Sequence, residues 1–234
     1  MHSIEYNPVH DEYSVPNPFS QAILTFRGGS EGEVPPIRVI QGPRTLIDEP
    51  IRLGLDYVND EIYVPMFKSI LVFPRDANGD VPPKRILKGP DTMLGAEALD
   101  IDTVRDLLVV AGIGDDGLRF RIFDRTAQGN TKPVRVIGGP NSKFSRIGGP
   151  FAVYSPKGWI VSTVRGPGLS SPEAFLGIWS VEDDGDIPPR WTIGGPNGVF
   201  QMPRGVAIDE KIRSIIASDK RMNSVLTFYF PEAF

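Results

Sequence analysis

One ten-residue phrase occurs four times, and it narrows the folds open to this chain more than any other feature. It runs from Val34 to Pro43 (VPPIRVIQGP), Val81 to Pro90 (VPPKRILKGP), Thr131 to Pro140 (TKPVRVIGGP) and Ile187 to Pro196 (IPPRWTIGGP). Its closing Gly-Pro pairs start at Gly42, Gly89, Gly139 and Gly195, in steps of 47, 50 and 56 residues. A second landmark, the aromatic residue closing an apolar run, falls at Phe26, Phe73, Phe123, Trp179 and Phe228, in steps of 47, 50, 56 and 49. Two independent markers thus share one period. Repeats of about 40–50 residues built from short strands read as propeller blades.

The second unit shows the pattern most clearly. Arg52 to Tyr57 reads as an innermost strand, Glu61 to Pro65 as the second, Ile70 to Phe73 as the third and Lys84 to Leu87 as the fourth. β-branched and aromatic residues fill these runs, while Gly, Asn, Asp and Pro fill the joints. Proline cannot donate to a ladder, so the paired prolines place the fourth strand at the rim of each blade. The arginines of that rim, Arg38, Arg85, Arg135 and Arg190, read as ion-paired or solvated edge charges. No helical stripe of useful length competes.

The expected fold is therefore an all-β propeller of five blades, spanning about 1–43, 44–90, 91–140, 141–196 and 197–234. The fifth unit has three strands, Gly205 to Asp209, Ser214 to Ser218 and Val225 to Phe228, and no phrase after them. Three arrangements fit this: a three-stranded last blade, a longer parent chain, or an edge that pairs with another copy to make a homo-oligomer.

Composition restricts function without naming it. The 234 residues carry a net charge of −4 with both signs dispersed, so no nucleic-acid surface is expected. No apolar run approaches the ~18–20 residues of a membrane helix, and no membrane association is expected. Met1 to Tyr6 has no signal-peptide pattern. The compartment is open, and a secreted or periplasmic setting is compatible with a longer parent chain. Cysteine is absent, which removes disulfides and thiolate chemistry. The two histidines, His2 and His10, lie in the first ten residues, so no multi-histidine metal site is expected, and no Gly-x-Ser-x-Gly elbow is present.

The repeated phrases, with Glu61-Ile62-Tyr63-Val64 and Ile70-Leu71-Val72-Phe73, resemble the NHL-repeat family, particularly bacterial members. So does the apolar-Asp step at Leu55-Asp56, Ile101-Asp102 and Ile208-Asp209; Tyr154 departs from it in the fourth unit, and five blades depart from the six of that family's relatives. The resemblance implies a propeller that recognises a protein, glycan or RNA at one face; some relatives are enzymes. Fold analogy alone does not choose between these.

Two turns, Asp76 to Asp80 and Glu182 to Asp186, have the alternating oxygens that begin a calcium loop. Leu87 stands where the first of them would need its twelfth-position acid, and both coincide with a blade turn, so calcium is the weaker reading and no cofactor is expected. Asp56, Asp102 and Asp209 are weak metal candidates, for a lactonase-like hydrolase using axial carboxylates; the alternative is that each caps its turn. The variable loops after the second strands share a face with the Gly-Pro loops. Their candidate binding residues are Phe19, Phe67, Lys68, Arg165 and Arg221, with Leu169 a further apolar tip and with Arg52, Arg146 and Arg204 at the same mouth, suited to an anionic or hydroxyl-rich ligand. The leading expectation is a non-catalytic binding or scaffold propeller whose partner, a protein or a small-molecule or glycan ligand, sits at that mouth.

Overall fold

The computed structural model describes residues 3–144, 151–166 and 171–234. It is a five-bladed β-propeller. The first sheet holds β1 (Glu5–Asn7), β2 (Glu12–Asn17), β3 (Ala22–Arg27) and β4 (Arg38–Gln41) in sequence order. The second holds β5 (Gly54–Asp56), β6 (Glu61–Pro65), β7 (Ser69–Pro74) and β8 (Arg85–Lys88). The third is β9 (Ala98–Asp102), β10 (Leu107–Gly114), β11 (Gly117–Asp124) and β12 (Arg135–Ile137), and the fourth is β13 (Ala152–Tyr154), β14 (Trp159–Val164), β15 (Phe175–Ser180) and β16 (Trp191–Gly194). The fifth has three strands, β17 (Pro203–Asp209), β18 (Ser214–Asp219) and β19 (Ser224–Tyr229). The strand pairings within the five sheets are antiparallel, as short sequential hairpins require. Among the described residues, only single turns of 3-10 helix interrupt the strands, and no helix is long and apolar enough to cross a membrane.

The proline-led phrase forms the outermost strand of four blades, as its missing donors demand. Neighbouring blades bury their faces against each other. Ile23 and Ile40 of the first pack on Ile62, Val64, Leu71 and Phe73 of the second. Trp179, the largest fully buried side chain, meets Phe120 of the third blade across the next junction.

The rim arginines are ion-paired. Arg38 meets Glu12 at 2.5 Å, Arg85 meets Glu61 at 2.6 Å, Arg135 meets Glu182 at 2.6 Å and Arg190 meets Asp183 at 2.5 Å.

In the third blade, where a variable loop is expected after the second strand, β10 continues to Gly114 and forms a long hairpin with β11. Glycine permits this extension. A Cβ on Gly112 would lie 1.7 Å from the Gly95 carbonyl oxygen, so only a bare backbone passes there. The buried Arg121 then pins the hairpin from inside, bonding the Gly112 carbonyl and pairing with Asp116.

The two turns that resemble calcium-loop starts join blades. The Gly79 amide donates to Val39 O at 2.6 Å, and Gly79 O receives the Gln41 amide at 3.2 Å. Asn78 Oδ1 accepts the Val39 amide at 2.9 Å, and Asp80 Oδ1 accepts the Arg44 amide at 2.7 Å. The arrangement recurs where Gly129 and Asn130 dock on β8, and where Gly185 and Asp186 dock on β12. These turns act as staples between successive blades. Their side-chain oxygens face amide donors, which is the geometry of a turn cap.

Candidate functional site

Two concavities share Arg52 as part of their walls. The innermost strands of all five blades line a central cavity of about 410 Å³, whose walls include Glu5, Gly54, Asp100, Ala152 and Ala207. These five occupy one repeat position, two residues before the last residue of each innermost strand. Three are Gly or Ala, which leaves room, and two are carboxylates. Burial pushes the Glu5 carboxyl up to about 8, and the nearby Asp100 charge adds to the shift. Glu5 itself is only half-buried, on the cavity wall. Asp100 is raised to about 6 by burial, against the Val153 and Ile101 amides that bond it at 2.7 and 2.8 Å. Acids held partly protonated near neutral pH can both donate and accept hydrogen bonds.

The second concavity, about 560 Å³, opens on the loop face of blades one to three and is walled by Leu46, Ile51, Arg52, Phe67 and Glu97 among others. Arg52 belongs to both walls. Its Nη1 donates to Glu97 O at 3.0 Å, while burial and the neighbouring Arg204 lower its pKa.

The loops around the groove form one bonded ridge. Gln21 Nε2 reaches Asp48 at 3.2 Å, the Asp48 amide reaches Met66 Sδ at 3.4 Å, and the Ala96 amide donates to Phe67 O at 2.7 Å. Lys68 Nζ then reaches Asp115 at the tip of the β10–β11 hairpin at 3.0 Å, lying 5.4 Å from the Phe67 ring centre. Along this ridge stand exposed apolar side chains: Phe19 (97% exposed), Leu46, Ile51, Phe67 (51%), Met93 and Ile113.

The candidate residues thus fall into groups. Phe19, Arg52, Phe67 and Lys68 come together on blades one to three. Arg204 is close enough to Arg52 for their charges to interact and also lines a smaller cleft with Lys220 and Val225, and Arg221 is exposed in the adjoining β18–β19 turn. Arg165 is buried, at 5% exposure, rather than displayed at the mouth. Arg146 and Leu169 lie outside the described residues. Asp56, Asp102 and Asp209 each accept two amides of their own turn, from Val58 and Asn59, Val104 and Arg105, and Lys211 and Ile212. Asn7 does the same with Val9 and His10. Among the described residues, no three His, Asp or Glu side chains are grouped to hold a metal ion.

Sequence reasoning missed Glu5 and Asp100, and the apolar Leu46, Ile51, Met93 and Ile113. Aligning the inner strands would have revealed the first pair, as acids at a Gly/Ala position.

No family model matches the chain, and no curated protein does. Among solved structures it is similar to hydrazine synthase of Kuenenia stuttgartiensis, with a TM-score of 0.62 at 11% identity over 92% of this chain. The match spans 54% of that chain, about half its length. A likeness at this identity concerns the fold alone.

Proposed function

We propose that this protein is a recognition propeller that binds a polypeptide partner across the loop face of blades one to three, with a polar group of the partner entering toward the central cavity. The observation that carries the reading is the bonded ridge of exposed apolar side chains beside a 560 Å³ groove. Scattered exposed apolar residues are ordinary, but a contiguous set with polar neighbours marks an interaction surface. Phe19 and Phe67 have the bulk of anchor residues, and Arg52 and Lys68 supply the charged surround. The carboxylates at the cavity suit a cationic or hydroxyl-bearing group of the partner. The resemblance of the repeated phrase to NHL-type propellers supports the same reading, as does the commitment of Asp56, Asp102 and Asp209 to their own turns.

The test is affinity capture with the wild-type protein and with a Phe19→Ser/Phe67→Ser double variant, each first shown to melt alike. A specific partner retained by wild type and lost by the variant supports the reading. Equal capture by both, or loss only when blade five is altered, contradicts it.

A further inference from the structure

Blade four carries an unfilled copy of the staple receptor. In the three filled cases a carbonyl of the outer strand takes a glycine amide: Val39 O from Gly79, Ile86 O from Gly129 and Val136 O from Gly185. The residue two further on returns a bond to that glycine's carbonyl, through Gln41, Lys88 and Gly138. The residue after the Gly-Pro pair donates to the following Asp or Asn, through Arg44, Asp91 and Asn141 at 2.7–2.8 Å. By register the fourth set is Thr192 O, Gly194 N and Asn197 N, since Gly177 pairs with Thr192 as Leu24 pairs with Val39. No described residue fills it.

Three further observations mark the same vacancy. A Cβ on Gly42, Gly89 or Gly139 would collide with Asp80, Asn130 or Asp186 at 2.3–2.5 Å, whereas Gly195 has nothing within 4 Å. The isoleucine or leucine at the centre of the receptor is 2%, 1% and 0% exposed at Ile40, Leu87 and Ile137, but Ile193 is only half-buried. A cleft of about 370 Å³ opens there, lined by Thr192, Gly194, Gly195 and Pro196 with Lys143 and Phe175.

Beside it, no described strand pairs with the outer side of β19. Val225 and Tyr229 are 70% and 71% exposed, where Ile70 to Phe73 of the second blade are at most 2%. An open edge and an open receptor lie where one turn-and-strand segment would fill both.

We propose that this edge is a strand-addition site for a polypeptide segment bearing the repeated phrase: a Gly-Asp or Gly-Asn turn followed by a proline-led strand. The turn seats on Thr192, Gly194 and Asn197, and the strand pairs with β19. The internal copies define that occupant's chemistry three times over. A second copy of this chain does not supply it without unfolding a blade, because the turns at Gly79, Gly129 and Gly185 are already engaged. The site is separate from the loop face of blades one to three.

The test uses a synthetic peptide with the sequence Asp76 to Gly89 and the intact protein. Calorimetry should show 1:1 binding, and a hundredfold excess over the dissociation constant should raise Tm by roughly 5–10 °C. A peptide with Gly79→Val and Asp80→Ala should lose most of this while the receptor stays unaltered. No binding at millimolar peptide overturns the proposal, as does equal binding of the altered peptide. A concentration-dependent dimer that excludes the peptide overturns it in favour of a second copy as occupant.

Discussion

Glu61 receives both terminal nitrogens of Arg85, each at 2.6 Å, from the rim of its own blade. Arg125 of the next blade reaches the same carboxylate at 3.2 Å, and Tyr63 donates to it at 2.9 Å. Burial pushes the Glu61 carboxyl up, but the bonds from Arg85, Lys84 and Tyr63 outweigh it and hold the group at about 2. Glu12 plays the same part in the first blade, toward Arg38 and Arg75. Removing one partner of a buried charged network leaves the others uncompensated, so Glu61→Leu should cost about 3–5 kcal/mol in urea unfolding. A loss below about 1 kcal/mol would show that the network carries little of the blade-two to blade-three junction.

Stability should peak on the acid side of neutrality. Glu61 is depressed from 4.5, so its contribution is complete above that value and is lost as pH falls toward about 2. Glu5 is raised from 4.5 to about 8 and Asp100 from 3.8 to about 6, so between those values the folded protein holds protons that the unfolded chain releases. Their penalty is absent below about pH 4 and grows as pH rises to 8. Tm should therefore fall from pH 5 to pH 8, and Glu5→Gln should flatten that limb while leaving the acid limb intact. A Glu5→Gln protein with the wild-type profile would contradict the assignment.

The indole of Trp179 covers Gly177, two residues earlier on β15. A Cβ at position 177 would stand 2.2 Å from ring carbon Cη2 and 3.1 Å from the Phe175 ring. Gly177→Ala should therefore force the indole off its seat against Phe120 and Phe144, at a cost of about 1–3 kcal/mol. Altered tryptophan emission with a lowered Tm is the expected readout.

The staple at Asp186 accepts the Asn141 and Ser142 amides at 2.8 and 3.1 Å. Asp186→Ala should cost about 1–3 kcal/mol by orphaning these donors, and calcium or a chelator should leave the melting of wild type unchanged. A calcium-dependent rise in Tm that Asp186→Ala abolishes would restore the cation reading of this turn.

Blade number and strand order were legible because they depend on local chemistry. Paired prolines mark a rim strand, Gly-Pro marks the return to the axis, and Val225 to Phe228 reads as a strand without its neighbour. Contacts that need the assembled ring were not legible. Asn78 and Val39 are 39 residues apart, and nothing near either names the other. Gly112 and Gly114 read as loop residues until the Gly95 backbone is seen against them. Of the candidate site, Phe19, Phe67, Lys68 and Arg52 could be drawn from loop position alone. Burial of Arg165 and the raised acids of the cavity depend on what surrounds each side chain.

The account's central claim is that blades two, three and four are each locked to the preceding blade by a turn seated on its rim strand, and that no described residue locks the fourth rim. Amide hydrogen exchange resolved by residue tests it directly. Val39, Gln41, Lys88, Val136 and Gly138 should be strongly protected, while Gly194 and Asn197 exchange near the rate of exposed amides. Comparable protection at Gly194 and Asn197, or fast exchange at all four rims, would contradict it.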